Sequence, residues 1–192
     1  LRYFFASKLS TGVDDIDLNL DEFKQKCNSD LVNKYANIAS RSARFINKNF
    51  NNSLSEELDS PELIEEFKNT SQKIADHYEK LEFSKAQKEI MLLADKANQY
   101  VDSKQPWVLI KEKGNEKLVH SICTTSLNLF RILTIMLQPV IPGFVDKSLR
   151  FLKEDKIEWS SINKTLLNCK IDNFEAIVTR IDDNHLDKLM GS

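Results

Sequence analysis

"DEFKQKCNSDLVNKYANIASRSARFINKNF", residues 21–50, decides the fold class. Phe23, Cys27, Leu31, Tyr35, Ile38, Ser42 and Phe45 recur at three- to four-residue spacing, joined by Val32, Ala39, Ile46 and Phe50. That is the period of an α-helix with one broad packing stripe, and Asp21 is placed to cap its start. A second stripe is polar. Asn33, Asn37 and Arg41 follow at intervals of four, and at about 100° per residue they fall within about 80° of arc. Asparagine is a poor residue for a helix interior. The stripe is therefore either a solvated face or a surface that contacts a partner.

Outward from this helix the same period continues. "NNSLSEELDSPE" reads as a loop, with Ser60 as a cap and Pro61 at the first helical position. A helix over about 61–80 carries Leu63, Phe67, Ile74 and Tyr78, and one over about 83–102 carries Ala86, Ile90, Leu93, Ala94, Ala97 and Val101. "SKQPW" breaks the pattern, because the residue before a proline is biased away from helical angles, and a short turn then ends at Gly114. Leu118, Ile122, Leu129, Phe130, Leu133 and Leu137 mark a long helix that stops before Pro139. Phe144, Val145, Leu149 and Leu152 mark another after Pro142. The weaker pattern from 154 to 192 predicts a tail that wraps the bundle. Residues 1–20 read as a linker segment with a connecting loop around Gly12, and 21–192 as the bundle with its tail. The expected class is all-α, a helical bundle of about five main helices.

Composition agrees. Hydrophobic residues make up 41% and charged residues 29% of 192, and only four glycines and four prolines punctuate them, too few for a many-turned β-fold. A formal net charge of −2 argues against a non-specific electrostatic grip on nucleic acid, so any RNA contact must be local. Cys27, Cys123 and Cys169 are odd in number and far apart, which suits reduced thiols, and with His77, His120 and His185 equally scattered no zinc-ligand spacing appears. The apolar run "LFRILTIML" is interrupted by Arg131 and is short for a membrane span. A chain that opens "LRYFF" without Met reads as a piece of something longer, and the cytoplasm is the expected compartment.

Trp107, directly after Pro106, carries two readings: an anchor that closes the bundle, or an exposed platform. Together with the polar stripe the second gains weight, since amides, arginine and an aromatic surface are the parts with which proteins read splayed single-stranded bases. At this point the residues resemble a known family. "DLVNKYANIASRSARFINKNF" is similar to the first helix of the anticodon-binding domain of bacterial methionyl-tRNA synthetases, class I aminoacyl-tRNA synthetases. There an N-x-x-x-N-x-x-x-R pattern leads into F-I-N-K. The likeness continues through "EIMLLADKANQYVDSKQPWVL", "NLFRILTIMLQPVIP" and "FEAIVTRID", with "LRYFFASKLSTGVDDIDLNLDEF" like the segment joining that domain to the catalytic half. Asn-x-x-x-Asn-x-x-x-Arg with Pro-Trp beginning 65 residues after the arginine is the specific part.

The resemblance implies that Asn37 and Arg41 hydrogen-bond the first base of a CAU anticodon, that Asn33 supports the same surface, and that Trp107 stacks on an anticodon base with Pro106 shaping the platform. Arg44 and Lys48 lie on or beside the stripe, where they either touch phosphates or are simply solvated. The chemistry fits independently, because cytosine offers acceptors at O2 and N3, arginine only donates, and an amide does both. The HIGH-like and KMSKS-like catalytic signatures of the family do not occur in these residues. The resemblance thus implies tRNA recognition here, no catalytic residue and no metal ligand in this chain. Methionine activation with ATP and magnesium, and any zinc, belong to other domains of the parent ligase. Implied partners are methionine tRNA, through its anticodon loop, and the catalytic domain of the same polypeptide. Two alternatives stand beside this reading: a purely protein-interaction bundle, and the equivalent domain of a class I enzyme for valine, isoleucine, leucine or cysteine.

Overall fold

The computed structural model describes residues 1–9 and 17–190, so the loop expected around Gly12 lies outside it. Its elements are α1 (Arg2–Lys8), α2 (Leu20–Cys27), a π-helical segment (Asn28–Ala36), α3 (Asn37–Asn49), α4 (Pro61–Glu79), α5 (Phe83–Lys104), α6 (Pro106–Leu109), α7 (Glu116–Leu137), α8 (Pro142–Leu152), a 3-10 turn (Trp159–Asn163) and α9 (Asp183–Met190). Among the described residues the fold is helical, as the periodicity predicts. Residues 20–49 form one continuous helix whose middle two turns are π-helical, a feature that the sequence pattern does not reveal.

Helix α7 is the axis of the bundle. Every residue from Ser121 to Leu137 is buried, with α3, α4, α5 and α8 packed around it. By length and composition α7 could cross a membrane, but its apolar surface is spent on the other helices. Its polar side chains are just as buried, and they hold the loops. Thr124 Oγ1 accepts from the backbone N–H of Ser55 at 2.9 Å, and Thr125 Oγ1 from that of Asp59 at 2.9 Å. Arg131, 1% exposed, forks onto both carboxylate oxygens of Glu154 at 2.6 and 2.9 Å and donates to the carbonyls of Ser161 and Lys164. Burying a charge is costly unless it is paired and hydrogen-bonded throughout, and here it is.

Stretches of residues 164–181 lie against the helices, and asparagines explain how a segment with so little regular structure can do so. A side-chain amide offers one acceptor and two donors, so it can satisfy a stretch of backbone as a β-strand would. Asn128 bonds both the N–H and the carbonyl of Leu166 at 2.7 and 3.0 Å. Asn47 takes the N–H of Phe174 and donates to the carbonyl of Asp172 at 3.0 and 3.1 Å. Asn28 holds the N–H and carbonyl of Ile181, both at 2.8 Å. The tail thus runs antiparallel to the long helix.

Several local expectations are corrected. The cap of α2 is Asn19, whose side chain accepts from the N–H of Glu22, rather than Asp21, because the helix starts two residues earlier. Pro61 opens α4 as expected, but the Ser60 side chain makes no capping bond. Ile64 fills the core where Leu63 was expected, and Leu63 and Tyr78 are only half-buried. Leu118, in the first turn of α7, is 41% exposed. Tyr3, Phe4 and Ala6 of α1 pack into the same core as the bundle.

Candidate nucleic-acid interface

The π segment and α3 run parallel to α5 along a polar seam in which the partner always lies 61 residues further on. Lys34 Nζ meets Asp95 at 2.8 Å, Asn37 Nδ2 donates to Asn98 Oδ1 at 3.0 Å, and Arg41 Nη2 donates to Asp102 Oδ1 at 2.5 Å. A constant offset means two helices advancing in step in the same direction. Asn98 is the pivot, since its Nδ2 also donates to the carbonyls of Lys34 and Ala94 at 3.0 and 2.9 Å. It bonds the backbone of the π segment directly. Short π-helical stretches often accompany functional sites.

Beyond Lys104 the chain must turn to start α6. Gln105 does this with φ +46°, the left-handed region, where its N–H still bonds the carbonyl of Val101. A non-glycine residue held there stores roughly 1–2 kcal/mol of strain. Pro106 follows at the first helical position and is buried, which fixes the direction of the next side chain. Trp107 is half-buried, packed on the core from below, and the Arg41 guanidinium carbon sits 4.6 Å from its ring centroid. Arg41 is thereby held by a ring face and a carboxylate at once, with its side chain still 25% exposed. Trp107 is thus packed against the core on one side and partly exposed on the other, with the Arg41 guanidinium over its ring.

The structure brings Asn37, Arg41, Pro106 and Trp107 together and sets Asn33 and Arg44 somewhat apart. Asn33 Oδ1 accepts from Arg180 Nη2 at 2.7 Å, so it faces the tail. Arg44 is exposed and, with Asn33, Asn37 and Ser40, borders a cleft under residues 174–178. Lys48 is exposed on the last turn of α3. The stripe is therefore not simply wet, since Asn33, Asn37 and Arg41 are each bonded to another part of the protein. Asn98, Asp102 and Arg180 are partners that the sequence reading missed. Asp95, Asn98 and Asp102 recur at three- and four-residue spacing, a polar stripe on α5 that could have been matched to the one on α3.

Comparison with known proteins agrees with this architecture. The sequence model of the "anticodon binding domain of methionyl tRNA ligase" matches residues 53–188, and that of "tRNA synthetases class I (M)" matches residues 1–43. Asn33, Asn37 and Arg41 fall in the second match and Trp107 in the first, so the seam joins the two. Methionine–tRNA ligases of Francisella tularensis strains WY96-3418 and FSC 198 are each 48% identical over 190 residues, which is 99% of this chain but 28% of the relative. The chain thus spans under a third of the length of these relatives. Among solved structures, apo methionyl-tRNA synthetase of Mycobacterium tuberculosis superposes with a TM-score of 0.88 at 20% identity, covering 94% of this chain and 38% of that one. The same enzyme with methionyl-adenylate gives 0.84 at 20% identity, covering 92% and 36%. At that identity the likeness shows the shared fold. On the match over residues 53–188, the chain belongs to the methionyl-tRNA ligase family, as its anticodon-binding domain.

Proposed function

We propose that this chain reads the CAU anticodon of methionine tRNA for a ligase that joins methionine to that tRNA at the expense of ATP. The observation that carries the reading is the position of Arg41, stacked on Trp107 and tied to Asp102, one helical turn from Asn37. A fork of donors fixed beside an aromatic face meets cytosine's acceptors while the base stacks. Asn37 commits Nδ2 to Asn98 and keeps its acceptor for cytosine N4. Holding the groups in place beforehand lowers the cost of ordering them on binding. The surface supplies roughly 1–3 kcal/mol per edge contact, by analogy with duplex readout, and a similar amount per stacked base. Such local contacts need no basic domain, in keeping with a net charge of −2.

In this reading the chain contributes specificity rather than bond-making. Adenylation with ATP and magnesium, and any zinc site, lie in the parent's catalytic half, which is also the chain's covalent partner. The bound anticodon helps place the acceptor end of the same tRNA there. The enzyme is expected in the cytoplasm. The test is a fluorescence titration of this chain, and of the full-length protein that carries it, with a CAU stem-loop and with the same loop bearing uracil first. Selective binding of CAU supports the reading. Equal binding of both loops by the full-length protein, or none, refutes it and leaves the seam as a protein-contact surface.

A further inference from the structure

At its Lys34–Asp95 end the polar seam opens into a cleft of about 460 Å³ between α1, α2 with the π segment, and the first half of α5. Floor and rim differ in chemistry. Gln87, the most buried residue that lines the cleft at 2% exposure, forms the floor. Its Nε2 donates to the carbonyl of Tyr3 at 3.0 Å, while its buried Oε1 accepts no hydrogen bond from any described residue. The rim is cationic. Lys26, Lys34, Lys85 and Lys88 line it against Asp30 and Asp95, a surplus of two positive charges on a chain whose formal net charge is −2. We propose that this cleft binds a small free phosphate monoester of a polyol, with the phosphate among the lysines and a hydroxyl donating to Gln87. The inference does not depend on the anticodon reading.

The two ends of the cleft fix the chemistry of its occupant. A buried acceptor left unpaired is unfavourable, and a bound donor removes that cost. The lysines call for an anion, and their rotatable ammonium groups suit the several oxygens of a phosphate better than a planar carboxylate, for which arginine's fork is the match. They are free to turn. Lys26 faces Asp30 at 2.9 Å and Lys85 faces Glu82 at 2.5 Å, but their side chains are 41% and 61% exposed, and surface pairs hold their members weakly. Asp30 stays paired when Lys26 turns, since the Tyr3 hydroxyl donates to it at 2.8 Å. Ser7 and Ser84 also line the cleft, and hydroxyls both donate and accept, as a polyol requires. The volume lies within the range of small-ligand sites, about 300–1,000 Å³. Gln87 further decides between sources of a sugar phosphate. Because its Oε1 is buried, a hydroxyl reaches it only on a molecule that enters whole as the exposed lysine stems yield, whereas a duplex backbone stays on the rim.

The experiment titrates the full-length protein carrying this chain with ribose 5-phosphate, inorganic phosphate and ribose by calorimetry, at low and high salt. Ribose 5-phosphate should bind roughly tenfold more tightly than either fragment of it, and less tightly at high salt. Gln87→Leu removes the acceptor and should bring ribose 5-phosphate down to the level of inorganic phosphate. Lys85→Gln with Lys88→Gln changes only exposed side chains of α5 and should lower the affinity for ribose 5-phosphate roughly tenfold, which keeps the proposal testable if Gln87→Leu does not fold. Absence of binding, or equal binding of ribose 5-phosphate and inorganic phosphate to the unmutated protein, would overturn it. Unchanged affinity in the double lysine variant would overturn it too, by placing the ligand elsewhere on the protein. Displacement of ribose 5-phosphate by the CAU stem-loop would assign the cleft to RNA and end the case for a free ligand.

Discussion

Arg41 lies with its guanidinium carbon 4.6 Å from the ring centroid of Trp107 while its Nη2 donates to Asp102 at 2.5 Å. Asp102 is largely exposed, with 61% of its side chain open to solvent, so the ion pair itself contributes little stability, about 0–1 kcal/mol. Its consequence is orientation. The planar fork is held over one aromatic ring and tied to one carboxylate at the same time, a pair of contacts that a lysine's point charge does not reproduce.

Replacement of Trp107 by alanine should therefore weaken binding of the CAU stem-loop by about 1–3 kcal/mol, the range for one stacked base, with a smaller loss of stability than a fully buried aromatic would give. Arg41→Lys should bind CAU and its uracil variant with similar affinity, because a point charge does not fix the edge contact. The two variants are compared by titration and by urea denaturation. A Trp107→Ala protein that unfolds readily yet binds RNA normally would assign the ring to the core alone.

Asn98 makes a sharper test of the seam, since no RNA contact is assigned to it. Its amide joins Asn37 to the π-segment carbonyl of Lys34 and to Ala94. Asn98→Ala leaves a partly buried donor and acceptor unpaired, at a cost of about 1–3 kcal/mol of stability. It also releases Asn37, so the first-base preference should fall as it does in Asn37→Ala. The double variant should then lose hardly more than either single one, because both act on one hydrogen-bond network. Additive losses would show that Asn98 and Asn37 act separately.

The all-α class was legible because Phe23, Leu31, Tyr35 and Ile38 repeat at the helical period, and the helix starts at Pro61, Pro106 and Pro142 follow from proline's fitness for the first helical position. Trp107 and Arg41 were legible as chemistry but not as neighbours. Their proximity depends on Gln105 taking a left-handed conformation and on α3 and α5 running in step, both outcomes of packing. The π segment was hidden for a related reason: its side-chain pattern still looks α-helical, and the difference lies in backbone bonds. Asn28, Asn47 and Asn128, to which the sequence pattern gives no role, are clamps on backbone 38 to 153 residues away. A single sequence carries no sign of such distant partners.

Arg131 and Glu154 bear on the fold alone. The pair is buried and joins α7 to the start of the tail, with the carbonyls of Ser161 and Lys164 both accepting from Nη1. Arg131→Ala should cost about 3–5 kcal/mol in urea denaturation, because it removes the bidentate partner of the nearly buried Glu154 carboxylate and leaves it only the exposed Lys164 at 3.6 Å. Arg131→Met with Glu154→Leu should recover much of that loss, since an apolar pair replaces an ion pair without leaving a charge behind. Anticodon binding should be unchanged in the double variant wherever it is folded. If Arg131→Ala melted with the parent, the buried pair would contribute nothing to holding the tail.

Alkaline pH should weaken the fold through groups that burial keeps neutral. Desolvation pushes the Cys27 thiol up to about 11, the Cys123 thiol up to about 12 and the Tyr35 phenol up to about 12. In the unfolded chain thiols ionise near 8.5 and phenols near 10. The unfolded state therefore releases protons first, and stability falls as pH rises from about 8.5 towards 12. Below pH 8 these groups are neutral in both states and add no pH dependence. Since the thiolate is the reactive form, native protein at pH 8 should also be alkylated slowly at Cys27 and Cys123, and at all three cysteines promptly once denatured. Denaturant melts at pH 7.5, 9 and 10, with thiol titration beside them, check both. A flat stability profile over that range, with fast labelling of Cys123 in native protein, would mean that the interior around α7 is open to water.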